Sequence, residues 1–302
     1  MKNLSTKRIY GRERINNVNK LLVVCGPTAT GKTALAMKLA KHWNGELVNA
    51  DSRQVYKGLD ALTGKDRSDD VPVWLYDVVQ PGTEFSVAHF VRLAQSAIAD
   101  IHKRKKLPIV VGGTGFYLAA LTTGIDSLAV PPNPALRKAF HAASLESLQQ
   151  ELQRIDSGRW ERMNESDQKN PRRLIRAIEV WQSTTYIPPA PPRNDVLWIG
   201  LTASPTILQQ RIGKRVAERF DKAVSEVRDG LPPILGAASL LSFSRGESTK
   251  EEALRKWVLA EFQYAKRQMT WFKKQKEIQW FDVSDTRYSE AVAACVTAWY
   301  TH

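Results

Sequence analysis

Eight residues, Gly26-Pro27-Thr28-Ala29-Thr30-Gly31-Lys32-Thr33, satisfy the pattern G-x-x-x-x-G-K-S/T. A glycine-rich turn between a strand and a helix aims successive backbone N–H groups, and the positive end of the helix dipole, at one spot. That spot suits phosphate oxygens. In such a turn Lys32 supplies a point charge for the terminal phosphates and the Thr33 hydroxyl a ligand for Mg²⁺. A tight turn with a solvated lysine has the same letters; the setting argues against it. Leu21-Leu22-Val23-Val24-Cys25 ahead is a short apolar run of the buried-strand type, and Leu35, Ala36, Leu39, Ala40 and Trp43 behind recur at helical spacing.

Other residues of chemical interest follow at element ends. Asn44-Gly45 stops the first helix, and Glu46 to Ala50 reads as a strand delivering Asp51 to its carboxyl end, where open α/β sheets bind ligands. Arg211, Arg215 and Arg219 stand four apart beside the apolar row Leu208, Ile212, Val216 and Phe220; they form either a solvated face or an anion clamp over the phosphate site. Arg172, Arg173 and Arg176 gather on one side of a helix whose other side carries Leu174, Ala177, Ile178 and Trp181. Gly112-Gly113-Thr114-Gly115 lets backbone approach a ligand closely behind a strand at Leu107 to Val111. Lys266, Arg267, Trp271 and Lys274 lie on the outer side of a helix at Lys250 to Lys274 that buries Trp257, Tyr264, Ala265 and Phe272. They suit RNA, or are side chains snorkelling over a core.

The elements that position these residues alternate as in an α/β fold with a parallel sheet. Trp74 to Val79 is a third candidate strand, Ser86 caps a crossover helix, and Val196 to Thr202 resumes the sheet before the Ser204-Pro205 helix start. Ile278 to Val283 is a late strand and Ser289 to Tyr300 a closing helix. Between Asp126 and Trp181 the pattern turns to helices alone, which reads as an insertion. Ile187-Pro188-Pro189-Ala190-Pro191-Pro192 is its stiff return. The expected division is a basic flexible tail over 1–19, a catalytic core over 20–125 and 193–302, and a helical insertion over 126–192.

Formal net charge is +13, which points to a polyanionic partner or, more plainly, a solubilising surface. Two cysteines, Cys25 and Cys295, make neither a disulfide framework nor a zinc pattern, so a reducing, cytoplasmic setting is expected. No apolar run has the length of a membrane span.

Several stretches together resemble the tRNA dimethylallyltransferases, or tRNA isopentenyltransferases: the phosphate loop, Asn49-Ala50-Asp51-Ser52-Arg53-Gln54-Val55-Tyr56-Lys57-Gly58, Phe85-Ser86-Val87-Ala88, Pro108 to Tyr117, Arg172 to Val180, and Tyr264 to Phe272. The resemblance implies a fold like the P-loop NTPases, a parallel sheet flanked by helices with an all-helical insertion that grips the anticodon arm. It implies transfer of a dimethylallyl group from dimethylallyl diphosphate to the exocyclic amine of the tRNA adenosine 3′ of the anticodon, with Mg²⁺ and no ATP; the resemblance leaves oligomeric state open, and a monomer is the expectation. Gly26 to Thr33 would hold the diphosphate with Arg215, Arg211 being a second candidate. Asp51 would be the general base, or else a partner of magnesium as in kinases, and Thr28 would orient the amine. Asp51, Ser52, Arg53, Gln54, Thr114, Arg172, Arg173 and Arg176 would contact tRNA. The match departs at Val73-Trp74, where a His-His pair is usual, at His89 in place of an aspartate, at Lys169-Asn170, and at Gly236-Ala237 in place of Gly-Tyr. A P-loop nucleotide or metabolite kinase shares the loop and arginine row, as does an RNA-binding module without transferase activity.

Overall fold

A run of five apolar residues with no polar alternate is shielded on both faces only inside a parallel sheet, and Leu21–Cys25 forms such a strand, β1, buried throughout. The structure, a computed structural model, describes residues 19–124, 128, 130–183, 193 and 195–301. The expected tail (apart from Asn19) and the Pro-rich return over 187–192 lie outside them. Five further strands, β2 Gly45–Asn49, β3 Val73–Trp74, β4 Leu107–Gly112, β5 Val196–Thr202 and β6 Ile278–Asp282, complete a sheet ordered β3-β2-β4-β1-β5-β6. All pairings are parallel, with Leu22 opposite Ile109 and Leu21 opposite Val196. The chain leaves β1 towards β2 on one side and later adds β5 on the other. The switch point therefore lies at the carboxyl ends of β1 and β4.

The helices are α1 Lys32–Trp43, α2 Asp60–Thr63, α3 Val87–Lys103, α4 Gly115–Thr122, α5 Pro134–Ala139, α6 Leu145–Ile155, α7 Ser157–Arg162, α8 Glu165–Gln168, α9 Pro171–Gln182, α10 Pro205–Glu226, α11 Ala237–Ser244, α12 Lys250–Phe272 and α13 Tyr288–Thr301. Two compact units emerge, a larger one within 19–85, 92–118 and 195–301 and a smaller one within 86–91 and 119–193. In the larger unit Leu22, Val24, Ile109 and Ile199 of the sheet pack with Leu35 and Leu39 of α1 and Val292 and Val296 of α13. A separate cluster joins Leu62 of α2, Ile212 and Phe220 of α10, Leu240 of α11 and Trp257 of α12. The smaller unit has its own core of Leu148, Leu152, Leu174, Ala177 and Ile178.

Two expectations fail for local reasons. The strand expected at Trp74 to Val79 is only two residues long, because Leu75 (φ 68°) and Asp77 (φ 56°) adopt the left-handed conformation. That turn brings the Asp77 carboxylate onto Lys65 and Arg67, and Val79 alone rejoins by a single bridge to Tyr56. Trp181, expected on the apolar side of α9, is half exposed.

The departures from the family pattern have local partners. Trp74 Nε1 donates to buried Glu46 (2.8 Å), and the carboxyl of Glu46 is held at about 2 by Arg104, against burial, with help from Lys106 and Trp74. His89 completes a capping box with Ser86: its N–H donates to Ser86 Oγ and its Nδ1 accepts from Ser86 N–H. Asn170 caps α9 through Arg172 and Arg173 N–H, and Lys169 pairs with Glu165. The departure at Ala237 follows a glycine that keeps the pattern: Gly236, at φ 84°, leaves room for the Trp257 ring, which a Cβ would meet at 2.5 Å.

Candidate active site

The loop between β1 and α1 must bend sharply, and its glycine requirement is physical. At Gly26 (φ 132°) a Cβ would lie 2.3 Å from the Leu201 carbonyl, and Ala29 and Gly31 take left-handed φ values of 63° and 86°. Thr30 Oγ1 and Lys32 Nζ both donate to Pro27 O, at 2.9 and 2.7 Å, closing the loop around its own carbonyl. Burial, then the charge of Arg215, pushes the Lys32 ammonium down to about 8, with Asp51 acting the other way.

This loop forms one wall of a cavity of about 270 Å³ at the carboxyl ends of the strands. Thr28, Lys32 and Thr33 line it, with Asp51, Arg53 and Gln54 behind β2 and Arg211 and Arg215 on α10. Asp51 Oδ1 accepts from Arg53 N–H (2.9 Å) and its own N–H donates to Asn49 Oδ1 (3.1 Å), an Asx-type turn that holds the carboxylate at the cavity wall. Burial, followed by the charge of Asp51, pushes the Tyr264 phenol up to about 12; burial also raises Tyr76, followed by Asp66 and then Asp51, and Tyr117, followed by Tyr56 and then Asp51. Asp51 thus stands among neutral phenols and cations in a cavity that Asp66, Glu218 and Glu261 also line.

The arginine row divides by role. Arg215 donates to Thr28 Oγ1 (3.1 Å) and to Gly64 O (2.8 Å), while Arg219 turns to Ala61 O and sits over the Trp257 ring, 5.2 Å from its centroid. Arg211 stays exposed on the cavity rim. Gly64 makes this possible, because a Cβ there would lie 2.4 Å from both Arg215 and Arg219.

The other expected contacts fall in both units. Thr114 Oγ1 accepts from Ser52 N–H (3.0 Å), Gln54 Nε2 donates to Gly64 O (2.8 Å), and the Arg53 guanidinium lies 5.1 Å from the Tyr264 ring centroid. In the smaller unit Arg173 pairs with Asp167, and Arg176 bonds Val130 O and Glu179. Arg172 is exposed. Gly112 and Gly113 of the Gly-Gly-Thr-Gly stretch line the cavity. Side-chain atoms at Gly112, Gly113 and Gly115 would strike Ala50 backbone, Gln268 and Trp271, so the chain itself also packs closely there. Trp271 is accordingly half-buried instead of outward-facing.

Sequence reasoning missed Gln268, buried on α12. Its Oε1 accepts from Thr28 N–H (2.8 Å) and its Nε2 donates to Gly113 O (2.9 Å). The available signal was a polar residue on the buried side of a helix, between Ala265 and Phe272, which demands a partner. Tyr264, expected to be buried, instead lines the cavity.

A parallel sheet with a phosphate-type loop at its switch point defines a P-loop α/β protein. Residues 54–275 match the family model described as IPP transferase. The tRNA dimethylallyltransferase of Anoxybacillus flavithermus is 38% identical over 88% of this chain and 91% of its own length. Among solved structures, the tRNA isopentenylpyrophosphate transferase of Bacillus halodurans is 30% identical, with a TM-score of 0.66 over 93% of this chain and 98% of its own. A eukaryotic dimethylallyltransferase solved acting on tRNA is 23% identical and shares the fold, with a TM-score of 0.76 over 92% of this chain and 77% of that one. The chain belongs to the IPP transferase family.

Proposed function

We propose that this protein transfers a dimethylallyl group from dimethylallyl diphosphate to the exocyclic amine of the tRNA adenosine immediately 3′ of the anticodon. The observation that carries the reading is that Asp51, Thr28, Lys32 and Arg215 line one cavity, with Thr28 bonded to Arg215. An allylic diphosphate reacts by building positive charge on carbon as the C–O bond to diphosphate breaks, so the site must stabilise the departing anion. Loop amides, Lys32 and Arg215 do so, with Arg211 at the rim. The adenosine nitrogen forms the new C–N bond and gives its proton to Asp51, while Thr28 orients the amine. Leu62, Ile234 and Leu235, which line the same cavity, suit the short hydrocarbon.

Mg²⁺ would neutralise diphosphate charge when bound. Thr33 lines the cavity, and no three His, Cys, Asp or Glu side chains cluster as a metal cage among the described residues. One hydroxyl with phosphate oxygens and water fits the habit of this cation.

The anticodon arm is bound by the helical unit with Arg172, Arg173 and Arg176, and by Ser52, Arg53, Gln54 and Thr114 near the cavity. The adenosine is flipped from its loop to reach Asp51, at less cost than from a duplex. The protein works as a cytoplasmic monomer. Among the described residues no helix is long and apolar enough to cross a membrane.

The test runs labelled dimethylallyl diphosphate with unmodified tRNA beside γ-labelled ATP, both with Mg²⁺. Label in tRNA with ATP intact is expected; phosphoryl transfer without prenylation would replace this reading by a kinase.

A further inference from the structure

Gln268 joins the loop behind β1 to the loop behind β4. An amide is a neutral side chain that accepts from a main-chain N–H while donating to a carbonyl, and Gln268 does both, to Thr28 and Gly113. The seat is tight: a Cβ on Gly113 would lie 2.1 Å from its Nε2. Thr28 is thereby fixed at two points, its N–H by Gln268 and its hydroxyl by Arg215. One turn earlier on α12, Tyr264 hydrogen-bonds Thr114, whose Oγ1 holds the N–H of Ser52, the neighbour of Asp51. One helix face therefore braces the loops behind β1, β2 and β4.

We infer that Gln268 is a positioning residue for prenyl transfer, acting through Thr28 by fixing the direction of its hydroxyl. The inference rests on the activity proposed above. A 1 Å displacement of an orienting group costs rate without costing affinity, so the effect belongs in the transfer step.

The test is a double-mutant cycle of Gln268→Met and Thr28→Ala, read as single-turnover prenyl transfer at saturating donor and tRNA, with the melting temperature and tRNA affinity of each protein. Q268M is expected to slow transfer roughly 10- to 100-fold at unchanged tRNA affinity, and to slow the T28A enzyme by less than about threefold, because the hydroxyl it directs is already gone. Equal slowing in both backgrounds, or slowing that merely follows a lowered melting temperature, would overturn the inference; so would a wild-type rate in Q268M. Should Q268M unfold, Gln268→Leu, which likewise can neither accept from Thr28 N–H nor donate to Gly113 O, takes its place and is read by the same outcomes. Wild-type protein that transfers no prenyl group brings down the activity reading itself, whereas an active wild type with an equally active Q268M brings down only the positioning role.

Discussion

Lys32 carries a charge that the folded protein holds at a cost. Its ammonium is pushed down to about 8 from an ordinary 10.5, chiefly by burial and by Arg215. A lysine whose folded value is lowered penalises the ligand-free fold below about 8, and the penalty is relieved as pH rises from 8 towards 10.5. Ligand-free Lys32→Met should therefore melt above the wild type at pH 7, the gap narrowing towards pH 10; calorimetric scans across that window check it. Affinity for inorganic diphosphate should move oppositely, weakening as pH passes 8 in the wild type and staying level in K32M. At Asp51 the expectation is kinetic. Asp51→Ala should lower single-turnover transfer roughly 10² to 10⁴-fold with tRNA still bound, and an unchanged rate would remove Asp51 as the base. Asp51 was legible in the sequence because strand ends face the crevice. Gln268 was not, because its partners lie 240 and 155 residues away and no spacing rule connects them.

At the scale of elements, α10 is one helix with three differently employed arginines. Four-residue spacing placed them on one side, but it could not show that Gly64 admits two of them to the α2 loop. The resulting geometry predicts three separable variants. Arg215→Ala should slow transfer roughly 10² to 10³-fold, as for loss of a donor to a developing anion. Arg211→Ala should weaken diphosphate binding with little change in melting temperature. Arg219→Ala should chiefly destabilise, by about 1–3 kcal/mol, since the Ala61 carbonyl loses its donor. Denaturant unfolding beside single-turnover kinetics distinguishes them, and a common phenotype for all three would contradict the division. The same limit explains β3: apolar alternation from Trp74 to Val79 looks like a strand, and the competing pull of Lys65 and Arg67 on Asp77 cannot be read from it. By contrast β1, β4, β5 and α10 were legible because continuous apolar runs and a Ser-Pro start leave few alternatives.

For the whole molecule, the charge of +13 predicts electrostatic tRNA binding. Log K should fall linearly with log salt concentration, and flat binding between low and physiological salt would remove the RNA partner. Arg172, exposed while Arg173 and Arg176 are paired within the helical unit, should behave as a phosphate contact. Arg172→Ala should weaken tRNA binding and reduce the salt slope by about 1 without altering diphosphate affinity. The most direct measurement is nucleoside mass analysis of tRNA, with an adenosine 3′ of its anticodon, after incubation with the protein, Mg²⁺ and dimethylallyl diphosphate. The account predicts one N6-dimethylallyl adenosine, mapped to that position and absent with D51A. Prenylation elsewhere, or tRNA recovered unmodified, would contradict it.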